Sequence, residues 1–176
     1  QGAIILDRTT FYAESGGQIG DSGVLCSSSG QQFLVSDTQK LSVNLFGHIG
    51  EALSGNFSVG DKLSARVDSK RRQATVINHS ATHLLHAALR KVLGEHVSQK
   101  GSLVTTERTR FDFSHFQAIS AEQINEIENL VNTGIRANAE AEVHHMGMQE
   151  AIEFGAMALF GEKYGETVRV LDIGTS

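Results

Sequence analysis

The sequence has no proline, no tryptophan and only one cysteine, Cys26, and its apolar runs are short. A single cysteine excludes an internal disulfide framework and favours a reducing, cytoplasmic location. A membrane-spanning helix needs about 20 consecutive apolar residues, so we expect no transmembrane segment and no membrane partner. Because proline is absent, the 18 glycines must form most of the turns.

The residues that are present are those of a globular protein. Hydrophobic side chains make up 40% and charged side chains 20% of the 176 residues, which supplies a core and argues against disorder. This length suits one ordinary domain or two small ones. The chain opens with Gln1 rather than Met, and no signal-peptide pattern follows. We therefore expect a piece of a longer protein.

Charge is distributed unevenly around a net value of −5. Residues 61–110 carry ten basic and four acidic side chains, whereas residues 1–60 and 111–176 are net acidic. The negative net charge argues against a protein that coats nucleic acids without specificity. The basic segment 61–110 indicates a local surface that binds anions. The alternative is that the basic side chains at residues 70–72 lie on the solvent-exposed start of a helix and bind no anion.

Residues 1–69 have the pattern of a small all-β domain. Short apolar stretches alternate with glycine and serine clusters, which is typical of a small antiparallel barrel or sandwich, and we expect a β-barrel-like subdomain. The predicted strands are Ala3–Leu6, Val24–Cys26, Phe33–Val35, Leu41–Phe46 and Leu63–Val67.

Residues 70–176 mix helices with strands, so we predict an α+β domain after a boundary near residue 69. Apolar residues at helical spacing predict one helix over Ser69–Leu93 and a second over Ala121–Arg136, where Ser120 and Gln123 form a capping box. The other predicted elements are strands at 96–105, 108–114, Ala141–Met148 and Thr167–Ile173, and a short helix at Glu150–Leu159.

The first helix carries a histidine pair that fits metal chemistry. His79 and His83 are four residues apart and so share one helix face, and His86 extends this stripe opposite the apolar residues. Two imidazoles at this spacing can bind one zinc ion, which lowers the pKa of a bound water toward about 7. Spacing alone leaves surface histidines without a metal as the alternative.

Four strings in this order resemble the editing domain of bacterial alanyl-tRNA synthetases. They are FYAESGGQIGD at 11–21, NHSATHLLHAALRKVLGEHVSQKGSLV at 78–104, RFDFSH at 110–115 and GAMALFGEKYG at 155–165. Together they extend over nearly the whole chain. Free-standing alanyl-tRNA editing proteins and the editing domain of threonyl-tRNA synthetase are more distant relatives.

The resemblance implies a two-layer α/β editing core, shared with threonyl-tRNA synthetase, in which mischarged seryl- or glycyl-tRNA(Ala) is hydrolysed. It implies tRNA(Ala) and the remaining synthetase domains as partners, in a parent enzyme that ligates alanine to tRNA(Ala) using ATP. A second site of this kind is needed because a pocket for alanine cannot strongly exclude glycine, and rejects an added hydroxyl only about 100-fold.

The resemblance also implies a zinc site in which HxxxH joins a later CxxxH. His79 and His83 match the first pair, but no CxxxH occurs in this sequence, and Cys26 does not match it. We expect the chain to end before the second pair, so that it carries two of the four ligands.

The resemblance further implies a role for Gln99 in the editing pocket, where an amide can hydrogen-bond the substrate amino acid. A polar strand residue facing solvent is the alternative for Gln99, and a plain turn is the alternative for the glycine-rich loop. The residues assigned to the substrate or to tRNA are Gly16, Gly17, Gln18, Arg71, Arg72, Arg90 and Lys100.

Other functions stay open at this point. One alternative is a module that binds the acceptor stem without activity, and another is a free-standing aminoacyl-tRNA deacylase. A third alternative is the editing of a different mischarged tRNA, as in the threonyl relative.

Overall fold

The computed structural model describes residues 1–156 and 165–173. Within these ranges the first five elements are strands, and the elements after them are a mixture of helices and strands. The strands are β1 (Gly2–Ile5), β2 (Gly23–Ser27), β3 (Gln32–Ser42), β4 (Leu45–Ser54), β5 (Leu63–Val67), β6 (Gln99–Val104), β7 (Thr109–Phe113), β8 (Ala141–Gly147) and β9 (Thr167–Ile173). The helices are α1 (Ser69–Leu93), α2 (Ala121–Ala137) and α3 (Met148–Glu153). The α+β class is thus confirmed, with antiparallel sheets.

The chain forms two compact units, and α1, β6 and β7 each contribute residues to both. The first unit comprises residues 1–79 and 103–110. The second comprises residues 80–102 and the chain from residue 111 onward. Division into a β domain at 1–69 and an α+β domain at 70–176 stays a prediction.

The first unit is built on one five-stranded antiparallel sheet in the order β1-β4-β3-β2-β5. Strand β1 and strand β5 are its two edges, so the described strands form an open sheet, and the predicted barrel closure is not seen. The predicted strand Leu41–Phe46 is wrong, because Val43 and Asn44 form the turn between β3 and β4. Apolar residues lie on both sides of this two-residue turn, so the sequence pattern resembles one continuous strand.

Alternation along these strands builds the core of the first unit. Phe33 and Val35 of β3 point to the same side as Leu25 of β2, as the period of two requires, and they form a cluster with Phe11. Leu25 and Val35 have no solvent exposure at all. The intervening Leu34 is 38% exposed, which fits a sheet with one buried face.

Helix α1 has the predicted bounds. Asp68 accepts hydrogen bonds from the backbone N–H groups of Lys70 and Arg71, both at 3.1 Å, and so satisfies two donors that the first turn leaves without intrahelical partners. Gly94, which follows the helix, has φ 113°, a conformation that favours glycine and ends the helix.

The second unit packs the C-terminal part of α1 against α2 and β7. Its core contains Ala88, Leu89, Val97 and Ile127. The predicted capping box of α2 is confirmed, since Ser120 and Gln123 bond each other's backbone N–H groups.

His86 of α1 is only 4% exposed, and its ring centroid lies 5.0 Å from that of Phe111. The prediction that His86 lies opposite the apolar face of the helix is therefore wrong.

A smaller layer in this unit consists of the antiparallel pair β8 and β9 with α3 packed on it. Strand β9 has the predicted bounds, and α3 is shorter than the predicted Glu150–Leu159, whose last residues lie outside the described part of the chain. Most of the string GAMALFGEKYG also lies outside it. None of the helices within 1–156 and 165–173 has the length and apolar character to cross a membrane.

Candidate functional site

The glycine-rich loop of the first unit is a tight turn that requires its two glycines. The backbone N–H of Gln18 donates to the Ser15 carbonyl at 2.9 Å, and the N–H of Ser15 donates back to the Gln18 carbonyl at 3.2 Å. Gly16 and Gly17 between them have φ 59° and 83°. Positive φ at both central residues is sterically easy only for glycine, and it is typical of two-residue hairpin turns.

This loop is fixed to the end of β6. The Val104 N–H donates to the Gly17 carbonyl at 2.7 Å, and the Ile19 N–H donates to the Val104 carbonyl at 3.1 Å. Gln18 and Val104 form a parallel bridge, and the two residues are 7% and 2% exposed. The loop therefore has a defined position rather than the freedom of a surface turn.

The buried Gln18 side chain contacts the first histidine of HxxxH. Nδ1 of His79 lies 2.5 Å from Oε1 of Gln18, although the two residues are 61 positions apart. Because a carbonyl oxygen only accepts, Nδ1 of His79 is the donor, and this bond fixes the tautomer and the ring orientation. Next to His79, Asn78 donates from Nδ2 to the carbonyl of Thr105 at 2.9 Å. The structure thus joins two of the family strings around one imidazole.

An ion pair holds the same loop to the start of α1. Arg72 donates from Nε to both oxygens of Asp21, at 2.8 and 2.9 Å, and from its terminal nitrogen to Asp21 and to the Thr10 carbonyl. Asp21 is 7% exposed and also accepts from the Tyr12 N–H at 2.6 Å. The hydrogen bond to Asp21 raises the pKa of Arg72 above its ordinary value. Arg72 is therefore engaged within the chain.

The second histidine of the pair, His83, lies one helical turn after His79 on α1. Among the residues that the structure describes, no group of three or more His, Cys, Asp and Glu side chains could hold a metal ion. Two imidazoles fit half of a tetrahedral zinc site, which takes four ligands when structural and three plus water when catalytic. The described residues alone do not complete such a site.

The other predicted site residues differ in their surroundings. Gln99 begins β6 and is half-buried, whereas Lys100 and Arg71 are exposed. Arg90 donates from Nη1 to the carbonyls of Glu95 and Val97, at 2.6 and 3.1 Å. Arg90 thus has backbone partners in its own unit, as Arg72 has side-chain and backbone partners in the first.

Sequence reasoning missed the role of Asp21. This residue is the last letter of the first family string, and its burial beside Arg72 depends on a contact 51 positions away. The available signal was one acidic residue between glycines, in Gly20-Asp21-Ser22-Gly23, where an exposed carboxylate is the ordinary expectation.

Comparison with known proteins finds similar sequences among the alanine--tRNA ligases. Over 171 residues, 97% of its length, the chain is 63% identical to the alanine--tRNA ligase of Stenotrophomonas maltophilia (strain K279a). It is 59% identical over the same share to that of Xanthomonas axonopodis pv. citri (strain 306). Over nearly its whole length the chain is therefore similar to one segment of alanine–tRNA ligases. Residues 1–71 also match the family described as tRNA synthetases class II (A).

The chain spans 19% of the length of these two relatives. The 60% identical ligase of Xanthomonas campestris pv. campestris (strain B100) is covered to the same extent. The similarity therefore concerns one segment of a much longer enzyme.

Proposed function

We propose that this chain is an editing segment of an alanine–tRNA ligase and hydrolyses the ester of seryl- or glycyl-tRNA(Ala). The observation that supports it most is the 63% identity over 97% of the chain, joined to the contact between His79 and Gln18. As whole proteins, the ligases would join alanine to tRNA(Ala) with ATP in the cytoplasm, and the chain would work beside their other domains.

The proposed reaction is the hydrolysis of an ester by one water molecule. A water oxygen bonds to the ester carbonyl carbon, the bond from that carbon to the ribose oxygen of the terminal adenosine breaks, and that oxygen takes up a proton. The products are a free amino acid and tRNA. We assign Gln99 to the pocket, where its amide would hydrogen-bond the amino acid or its hydroxyl.

The proposed zinc ligands of this chain are His79 and His83. They are half of the family's set, and the other half, CxxxH, does not occur in this sequence. Gln18 would act as a positioning residue, since ligating histidines usually donate their second ring N–H to an oxygen that orients the ring. This role agrees with the burial of Gln18 and with the direction of its bond to His79.

Contacts to tRNA are assigned to four basic side chains and to the loop. Arg71 and Lys100 are exposed, so we propose them as direct phosphate contacts. Arg72 and Arg90 have partners within the chain and would contribute positive charge from fixed positions. Gly16 and Gly17 lack side chains and would allow the terminal nucleotide to approach the backbone next to Gln18.

The experiment is clearance of seryl-tRNA(Ala) by the Stenotrophomonas maltophilia ligase in which this chain replaces the matching 171 residues. We expect His79→Ala to abolish clearance. Gln18→Leu should lower it about 10- to 100-fold, the usual cost of losing such an orienting partner, and Gln18→Glu should restore part of it because a carboxylate also accepts from Nδ1. His145→Ala, at an exposed histidine of β8, is the matched control.

Undiminished clearance by the His79→Ala variant would overturn the assignment. RNA binding with a steep salt dependence but no clearance by the parent chimaera would instead favour a binding module. Activity of the 176-residue chain alone would favour a free-standing deacylase, and a preference for another mischarged tRNA would favour the threonyl-like alternative.

A further inference from the structure

Two histidines of the second unit form a flat, hydrogen-bonded pair. His96 follows α1 and His115 follows β7, and Nε2 of the first lies 3.0 Å from Nδ1 of the second. Their ring planes differ by 16°, and the centroids are 5.2 Å apart. Two five-membered rings that share an N–H···N bond have this centroid separation when they lie side by side in one plane. The pair therefore presents a broad planar face.

A phenylalanine covers part of this face and is itself open to solvent. The Phe116 ring lies 4.4 Å from the His96 ring at 23°, and 6.2 Å from the His115 ring at 30°. Phe116 is nevertheless 84% exposed. We call these three residues the aromatic platform. A single exposed apolar residue is ordinary on a protein surface, but this ring lies against two further rings and so extends a flat aromatic surface.

The platform is held by bonds on both sides. Ser114, next to His115, donates its N–H to the Ser98 carbonyl at 3.0 Å, and its hydroxyl lies 2.9 Å from the Ser98 hydroxyl. On the other side, Arg90 bonds the carbonyls that flank His96. Both segments are therefore ordered before any partner binds, which lowers the entropy lost on binding.

The charges around the platform favour an anionic, aromatic partner. Arg90 and Lys91 form the basic last turn of α1, and the guanidinium of Arg90 is fixed beside the backbone of His96. Glu95 places one negative charge in the same segment. Aromatic rings next to arginine or lysine are the combination with which proteins bind single-stranded nucleic acids, because every nucleotide has an aromatic base and a phosphate.

We propose that the aromatic platform stacks an unpaired base of an RNA strand, with Phe116 as the ring in direct contact. This inference rests on the proposed function in one respect, that the chain acts on RNA. It adds a second contact point, formed by residues that the proposed hydrolysis does not use.

The test uses the 176-residue chain and a fluorescently labelled six-nucleotide oligoadenylate, followed by fluorescence anisotropy. One stacked base contributes enough that Phe116→Ala should weaken binding about tenfold or more. Phe116→Tyr should restore it, whereas Phe116→Leu, which keeps apolar volume without a ring, should not. The matched control is Phe154→Ala, at another exposed phenylalanine, whose ring is tilted by 51° against His144.

A second probe separates bases from phosphates. The same ribose–phosphate strand without bases should bind weakly, and Phe116→Ala should leave that binding unchanged. Equal oligoadenylate affinity for the parent chain and for Phe116→Ala would overturn the proposal, as would restoration by Phe116→Leu. Sedimentation that shows self-association lost in Phe116→Ala, with unchanged RNA binding, would instead assign the ring to a second copy of the chain.

The two proposals fail in different ways. If the platform is wrong but the editing function is right, the chimaeric ligase still clears seryl-tRNA(Ala) while Phe116 has no effect on oligoadenylate. If the editing function is wrong, clearance is absent while the ring-dependent binding of oligoadenylate remains.

Discussion

His86 is a buried imidazole in surroundings that favour its neutral form. It packs against Phe111, and within the described residues neither ring nitrogen has a hydrogen-bond partner. Burial lowers the pKa of His86 below its ordinary value, and the positive charge of Arg90 lowers the pKa further, which outweighs a smaller rise from the Val97 backbone. The folded protein therefore takes up a proton at His86 less readily than the unfolded chain does.

This difference predicts an acid-dependent loss of stability. Near pH 6.5 the unfolded chain begins to bind a proton at His86 that the folded chain does not, so the free energy of unfolding should fall as the pH drops below about 6.5. His86→Leu should remove this part of the pH dependence and should be neutral or stabilising at pH 7.5, because it replaces an unbonded polar group in an apolar cluster.

Urea unfolding at fixed pH values between 7.5 and 5 measures this effect. His145→Leu, at an exposed histidine, should leave the pH dependence as it is in the parent chain. A His86→Leu variant with the parent's slope against pH would contradict the argument.

At the scale of elements, the pair of Asp21 and Arg72 links the glycine-rich loop to α1. Asp21→Asn keeps an acceptor for the Tyr12 N–H but removes the charge that Arg72 bonds. Breaking a buried ion pair costs about 3–5 kcal/mol, and the Arg72 side chain is 36% exposed, so we expect a loss of about 2–3 kcal/mol in the free energy of unfolding.

The control for this variant is Asp7→Asn. Asp7 pairs with Arg8 at 3.9 Å, but both side chains are more than 90% exposed, and such pairs contribute about 0–1 kcal/mol. Chemical denaturation of both variants gives the comparison. Equal stability of the two variants would mean that the Asp21 pair does not hold the loop to α1.

The elements that the sequence predicted well have local signals. Helix α1 shows apolar residues at helical spacing and a glycine at its end, and α2 has a capping box within four residues. The failures depend on distant contacts. The turn at residues 43–44 is set by the pairing of β3 with β4, and the burial of His86 is set by the packing of Phe111.

In the candidate site, too, local sequence signals identified the residues but not the contacts between them. His79 and Gln18 were each identified from a local string, but spacing along a chain carries no information on a bond that spans 61 positions. The aromatic platform likewise combines residues from two segments, after α1 and after β7. Local motifs thus named the side chains, and the fold was needed to show which of them meet.

For the whole molecule, the uneven charge should determine how RNA binding responds to salt. The chain is acidic in total, with its basic excess in residues 61–110. Arg71 and Lys40 are both exposed, but only Arg71 lies in the basic segment. Charge reversal at either position changes the net charge equally, so the two variants separate a local contact from a general electrostatic effect.

We expect Arg71→Glu to weaken oligoadenylate binding and to reduce the slope of log affinity against log salt by about 0.7, the value for one phosphate contact on a single strand. Lys40→Glu should leave that slope unchanged. Anisotropy titrations between 50 and 200 mM salt, a range over which such contacts change affinity measurably, decide the matter. If both reversals shift the affinity equally without changing the slope, the net charge of the chain alone governs binding. A localised anion-binding surface predicts a different result, because only Arg71→Glu would remove a phosphate contact that releases a counterion.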